Sequence, residues 1–343
     1  MHYVGRVDWA FSEPPAGYTG SAEGYSSSSL VGSHTGAVHT DLSIGKLEPG
    51  GWTGLHLHSF ESAVYVLAGT PVLNIDGHHH QLRAGDYALL PIGMPHGWAN
   101  PAGEQARLLI HSTPQRRPAG QRPGDTFFLP AGQGTSDQGH SDQGASSQGT
   151  SGQGTSGQGT SGQGTGGHAT PPALRSPVSP VTRYLGHYAG TPPQQEALRV
   201  DNRVRDREPA GMDTALLAYS GISVKMMVDR GLGAELLVMF MVDYEPGGAA
   251  QAHDHPFEEA YFFLEGEIDA ELDGIAYKLG AGDVLFAGVG STHGFYNTGS
   301  GRVRWIETQA PQPPGRYSYR WTGPWQRLEA QTRGTAGRPW LRS

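Results

Sequence analysis

The chain contains no cysteine, which removes a disulfide framework, a thiolate metal site and a nucleophilic thiol from consideration. That usage suits a reducing compartment, and a cytoplasmic protein is expected. A basic excess is also missing: 24 Lys and Arg against 32 Asp and Glu give a net charge of −8. Nucleic acid and anionic membrane surfaces are thereby disfavoured as partners, and a small molecule is favoured. No uninterrupted apolar run approaches membrane-spanning length, and the opening MHYVGRVDWAFSEPPAGYTG lacks the basic-then-apolar order of a secretory leader. In the first half, from Gly36, no long stretch shows a helical period either. In its place stand short β-rich runs punctuated by turns: AVHTDLSIGKLEPGG, SAVYVLAGTPVLNIDGHHHQL and GDYALLPIG, with Asp76-Gly77 as a hairpin signal.

The chain repeats itself. Displaced by 197 positions, Glu48-Pro49-Gly50-Gly51 falls on Glu245-Pro246-Gly247-Gly248, Asp76-Gly77 on Asp273-Gly274, and Pro114-Gln115 on Pro311-Gln312. His56, His58 and His96 fall on His253, His255 and His293 without a gap. Residues 36 to 115 and 233 to 312 are therefore two copies of one all-β unit.

The histidines carry the chemistry. Residues 253, 255, 257 and 259 have one parity, so on a single extended strand His253, His255 and Glu259 would share a face, with His293 arriving from a nearby antiparallel strand. Three imidazoles and a carboxylate suit a divalent transition metal with coordination positions left open. A lone histidine is more often a hydrogen-bonded core or surface residue. Here that explanation must cover His-x-His, a same-parity glutamate and a distant histidine together, and metal binding covers them more simply. In the first copy, Ser62 replaces the glutamate, and the neighbouring Glu61 has the opposite parity and should point away. His56, His58 and His96 are then either a second metal site or the remnant of one in a structural domain. Three neutral imidazoles leave the full charge of a divalent ion, which suits a ligand donating anionic oxygens.

These spacings resemble the two motifs of the cupin superfamily. Gly247, His253, His255, Glu259 and Gly266 match the first motif; Gly282, Gly290, His293 and Asn297 match the second, with Gly288 where the family usually has proline. In the first copy Gly50, His56, His58 and Gly69, then Gly85, Pro91, Gly93, His96 and Asn100, match in the same way. The chain thus resembles a bicupin, which implies two jelly-roll β-barrels and Fe(II) or Mn(II) as the metal. The three-histidine set resembles that of gentisate and related ring-cleaving bicupin dioxygenases. An Fe(II)-dependent dioxygenase acting on a small polar or aromatic metabolite is the favoured expectation. The alternatives are a Mn(II)-dependent hydrolase or isomerase like the ureidoglycine aminohydrolase bicupins, and a non-catalytic protein whose metal anchors a small ligand. Cupins often assemble through sheet edges, so a homo-oligomer is compatible with the resemblance.

The organisation expected is an irregular arm over 1–35, an N-terminal cupin domain over 36–128, a disordered low-complexity linker over 129–180, a C-terminal cupin domain over 181–326 and a tail over 327–343. The linker rests on a Gln-Gly repeat recurring every five residues from 133 to 163, a composition unable to bury apolar surface. The run MDTALLAYSGISVKMMVD should add a strand or two to a barrel, and the aromatic stretch with Tyr317, Tyr319, Trp321 and Trp325 should cover a domain surface. His78-His79-His80 reads as a solvent-facing polar turn. Tyr261 and Phe263 share the parity of Glu259 and should line its pocket, with Phe262 and Leu264 on the other side.

Overall fold

The computed structural model describes residues 1–115, 124–130, 184–188, 198–200, 219–313 and 320–321. The Gln-Gly repeat and Tyr317, Tyr319 and Trp325 lie outside the described residues. Within them the chain is all-β, apart from one 3-10 turn at Ser33–Thr35. Two eleven-stranded sheets each curl into a jelly-roll barrel.

Each barrel is built on one long strand, Asp41–Thr53 in the first and Val238–Asp254 in the second. Ala106–Ser112 lies beside the first and Val303–Ala310 beside the second, followed outward by Ser62–Ala68 and Glu258–Glu265. Alternation divides these strands into an inner face that lines the barrel and an outer face that packs on the other domain. The outer faces form one core that joins Leu42, Ile44, Ala63 and Leu109 of the first barrel to Met239, Met241, Phe262 and Ile306 of the second. Phe263 and Tyr261 face the interior of the second barrel, as their parity requires.

The terminal segments are exchanged. His2–Arg6 adds an edge strand to the second sheet, against Asp283–Ala287, while Leu185–His187 adds one to the first, against Asp86–Leu90. The span read from sequence as the C-terminal domain therefore contains a strand of the first sheet. Residues 1–35 are not irregular, as expected, but carry two strands, His2–Arg6 and Ala22–Val31, because the serine-rich run alternates and has the whole edge of Asp41–Thr53 to pair with. The apolar run ahead of Val238 forms Tyr219–Val228 on the second sheet. Strand His78–Gln81 follows a turn in which Asp76 and Gly77 have φ of 49° and 79°, and His78 and His79 point to solvent.

A reciprocal pair of carboxylates fixes the two barrels. Glu258 of the second barrel, 3% exposed, accepts the backbone N–H groups of Val38, His39 and Thr40 at 2.7, 2.8 and 3.0 Å. Its repeat equivalent, Glu61, also 3% exposed, accepts those of Glu235, Leu236 and Leu237 at 2.9, 2.8 and 3.1 Å. Each loop so held leads directly into the other domain's long strand.

Candidate metal centres

The C-terminal cluster is assembled by three strands rather than the two expected. Val238–Asp254 ends after His253, the chain turns through His255, Pro256 and Phe257, and Glu259 lies on the following strand, Glu258–Glu265. The single strand expected over 253–259 is broken because Pro256 has no N–H for a ladder and disfavours its continuation. The groups converge nonetheless. His253 is the cross-strand partner of His293, and one nitrogen from each of His253, His255 and His293 lies within 4.8 Å of the other two. Glu259 Oε2 is 2.9 Å from His255 Nε2 and 3.2 Å from His293 Nε2. Each ring is oriented through Nδ1, which bonds the carbonyl of Gln251, Phe257 or Ser291 at 2.7, 2.8 and 3.0 Å. That leaves Nε2 as the inward donor atom, the arrangement a metal-ligating imidazole requires.

The N-terminal cluster repeats the pattern. One nitrogen from each of His56, His58 and His96 lies within 4.8 Å of the other two. Nδ1 of His56 and His96 bonds the carbonyls of Gly54 and Met94 at 2.8 and 2.9 Å, and that of His58 bonds Thr126 Oγ1 at 3.0 Å. Burial holds the His56, His96 and His253 imidazoles below their usual pKa, and burial followed by the charge of His56 pushes His58 down to about 3. Neutral rings are the form that binds a metal. Glu259 is pushed up by burial, but the His255 and His293 rings outweigh this and hold it well below the ordinary carboxylate range. Burial and the charge of Glu259 drive the nearby Glu307 the other way, well above it.

The clusters differ in what surrounds them. Glu259 is gripped by Gln309 Nε2 at 2.7 Å and by the Tyr261 hydroxyl. At the equivalent positions Ser62 and Ser112 share a hydroxyl–hydroxyl bond of 2.8 Å. Glu61 points out of the barrel into the domain interface and supplies no carboxylate here. The same replacement of large by small runs across the inner face. Tyr261, Phe240 and Trp305 in the second barrel stand where the first has Val64, Ser43 and Leu108. The first barrel accordingly encloses a cavity of about 380 Å³ that reaches His56, His58 and His96. Beside His253 and Glu259 the space is about 30 Å³, room for little more than a water molecule or two. His253, His255 and His293 are all buried, whereas His58 is half-buried and open to the cavity.

Several cavity residues carry no sequence signal of their own. Tyr18, from the amino-terminal segment, places its hydroxyl 3.1 Å from His56 Nε2, and burial keeps that hydroxyl protonated. Thr126–Phe128 returns to pair with His56–His58, setting Thr126 behind His58 and the Phe128 ring 5.2 Å from that of His56. The second barrel uses Arg320–Trp321 in the same way, pairing with Asp254 and His253. Gly288, at the motif's missing proline, also has a local cause. Its N–H donates to Met1 O at 3.0 Å, and a Cβ there would come within 2.9 Å of that oxygen. Proline could neither make that bond nor fit.

Two jelly-roll barrels, each presenting converging histidines from its inner face, define a two-domain metal-binding architecture. The Cupin domain family matches residues 43–112 and 240–308, and the chain belongs to the cupin superfamily as a bicupin. Salicylate 1,2-dioxygenase of Pseudoaminobacter salicylatoxidans superposes with a TM-score of 0.57 at 14% identity, over 90% of this chain and 81% of that one. Oxalate decarboxylase of Bacillus subtilis superposes with a TM-score of 0.52 at 16% identity, over 92% and 81%. At such identities the likeness establishes the fold. In sequence, polyketide synthase CurC of Streptomyces cyaneus is 32% identical over 80 residues, 23% of this chain and 52% of that protein. The chain spans about half the length of the first curated relatives it matches. No helix among the described residues is long and apolar enough to cross a membrane.

Proposed function

We propose that the protein is a metal-dependent oxygenase whose substrate enters the N-terminal barrel. The cavity of about 380 Å³ over His56, His58 and His96, set against about 30 Å³ at the fuller C-terminal ligand set, carries this reading. His253, His255, Glu259 and His293 would hold one divalent metal, and His56, His58 and His96 a second. Either Fe(II) or Mn(II) fits three neutral imidazoles, with or without a carboxylate. Such an ion supplies Lewis acidity and, as Fe(II), a place where dioxygen and a chelating substrate meet.

The chain's own residues do the rest. Ser62 and Ser112 leave the fourth-ligand position empty of carboxylate, so an anionic oxygen of the substrate can take it. Tyr18 remains protonated beside His56 and can donate to that oxygen. Val64 and Leu90 give the reacting end an apolar wall, and exclusion of water there strengthens each polar contact. The C-terminal cluster, packed by Tyr261, Phe295 and Trp305, lacks space for a substrate and fits a structural or supporting metal.

Salicylate 1,2-dioxygenase and oxalate decarboxylase share this fold, and the vacant carboxylate position favours the first kind of chemistry for this chain. Oxygen uptake by iron-reconstituted protein should be measured on a panel of hydroxylated aromatic acids, catechols and diketones. Uptake with at least one of them, abolished in His58→Ala, is expected. Oxygen-independent turnover, or loss in His255→Ala with His58→Ala unaffected, would overturn the reading.

A further inference from the structure

The N-terminal cavity contains a carboxylate after all, moved along the sheet. In the second barrel the row of inner residues at the level of the histidines is Glu259–Gln309–Val238, each paired across to the next strand. In the first barrel the same row reads Ser62–Ser112–Asp41. The acidic group has passed from the first position to the third, two strands away. With strands about 4.8 Å apart, its backbone lies roughly 10 Å from that of Ser62. It stands on the same wall as Ser62, two strands along, in the cavity that also reaches His56, His58 and His96. Asp41 lines the cavity.

Its placement is built. Ser29 Oγ donates to Asp41 Oδ2 at 3.3 Å, and Gly32 leaves room for that oxygen, which a Cβ at residue 32 would approach to 2.8 Å. The preceding residues, His39 and Thr40, are fixed by Glu258 of the other barrel. The loop that aims Asp41 is thus set before any ligand arrives. Inner-face neighbours Ser27 and Ser43 are small and hydroxylated, where the second barrel has Val224 and Phe240. They leave the path between Asp41 and the histidines open and polar. Burial raises the Asp41 carboxyl to about 6, with the Ser29 bond and His34 acting in the opposite direction, so near neutrality it is ionised yet readily protonated.

We infer that Asp41 is the specificity residue of the N-terminal cavity: it accepts a hydrogen bond from a hydroxyl or amine at the far end of a small ligand whose chelating oxygens lie at His56, His58 and His96. The ligand class is a compact chelating acid or enol carrying a second, remote donor. This rests on the reading of the N-terminal histidines as a metal site.

The test uses full-length protein loaded with Co(II) under anaerobic conditions, titrated with 2-hydroxybenzoate and its 4- and 5-hydroxy derivatives, following the visible cobalt spectrum. Wild type should bind one hydroxylated probe about tenfold more tightly than the parent, as one hydrogen bond to a charged group provides. Asp41→Val, which installs the residue of the second barrel, should keep the affinity for 2-hydroxybenzoate and lose that preference. Asp41→Asn, nearly the same shape, should lose most of it. Equal affinity of wild type for all three probes, binding of none by cobalt-loaded protein, or a preference that survives in Asp41→Val would overturn the inference. A cobalt spectrum unchanged in His58→Ala would instead overturn the metal reading beneath it.

Discussion

Removing Glu258 should loosen both barrels at once. Its carboxylate is 3% exposed and receives three backbone N–H groups of the other domain at 2.7–3.0 Å. Hydrogen bonds to a charged acceptor contribute about 1.5–3 kcal/mol each in favourable cases, and an interior donor left without a partner costs about 1–3 kcal/mol. Water can reach part of the 38–40 loop once the side chain is gone, since Val38 and His39 are exposed. The net loss for Glu258→Ala is therefore about 3–5 kcal/mol, below the sum of three separate bonds. Glu258→Gln keeps one acceptor oxygen and should lose about 2 kcal/mol. Glu61→Ala should match Glu258→Ala, because the repeat gives it the same three partners. The double variant should lose less than the two single losses added, since both carboxylates brace one interface. Urea unfolding followed by tryptophan fluorescence measures all four. A loss below about 1 kcal/mol for Glu258→Ala, or strictly additive losses, would refute the view that the pair acts as one brace.

Other perturbations follow from the same structure. Gly288→Pro, which restores the family's usual residue, should lower stability by about 1–3 kcal/mol through the lost bond to Met1 O and the clash at that oxygen; thermal unfolding checks this, and removal of residues 1–6 should abolish the difference. Ser62→Glu supplies the missing carboxylate, so metal titration should show tighter binding at the N-terminal triad while oxygen uptake falls as the cavity narrows. His111 is fully buried, neither ring nitrogen has a hydrogen-bond partner among the described residues, and burial holds it down to about 3. Its pKa is depressed in the fold, so its contribution is complete above about 6.5 and lost as pH falls towards 3, at roughly 1.4 kcal/mol per unit. His111→Thr, the residue of the second barrel, should gain about 2 kcal/mol at pH 5 relative to its effect at pH 8; equal effects at both pH values would exclude that titration.

The histidines, the repeat and the barrel class were legible because they depend on short spacings and one fixed displacement. Parity alone sent Glu61 away from the metal cluster, and the interface it enters explains why both barrels carry an acid at that position. The turn at Pro256 was not legible from parity, since a period of two runs through a break as readily as through a strand. The cavity was hidden for a different reason. Ser62, Ser112 and Asp41 become neighbours only through cross-strand register, and none is unusual in its own segment. Tyr18 and the exchange of terminal strands were hidden similarly, because their partners lie in distant segments.

The most direct test of the account is the metal content of anaerobically purified protein, compared among wild type, His58→Ala and His255→Ala. Two metals in wild type with one lost in each variant are predicted, together with oxygen uptake that depends on His58. A single metal, lost only in His255→Ala, would contradict the N-terminal cavity as the reacting centre and leave that barrel a scaffold.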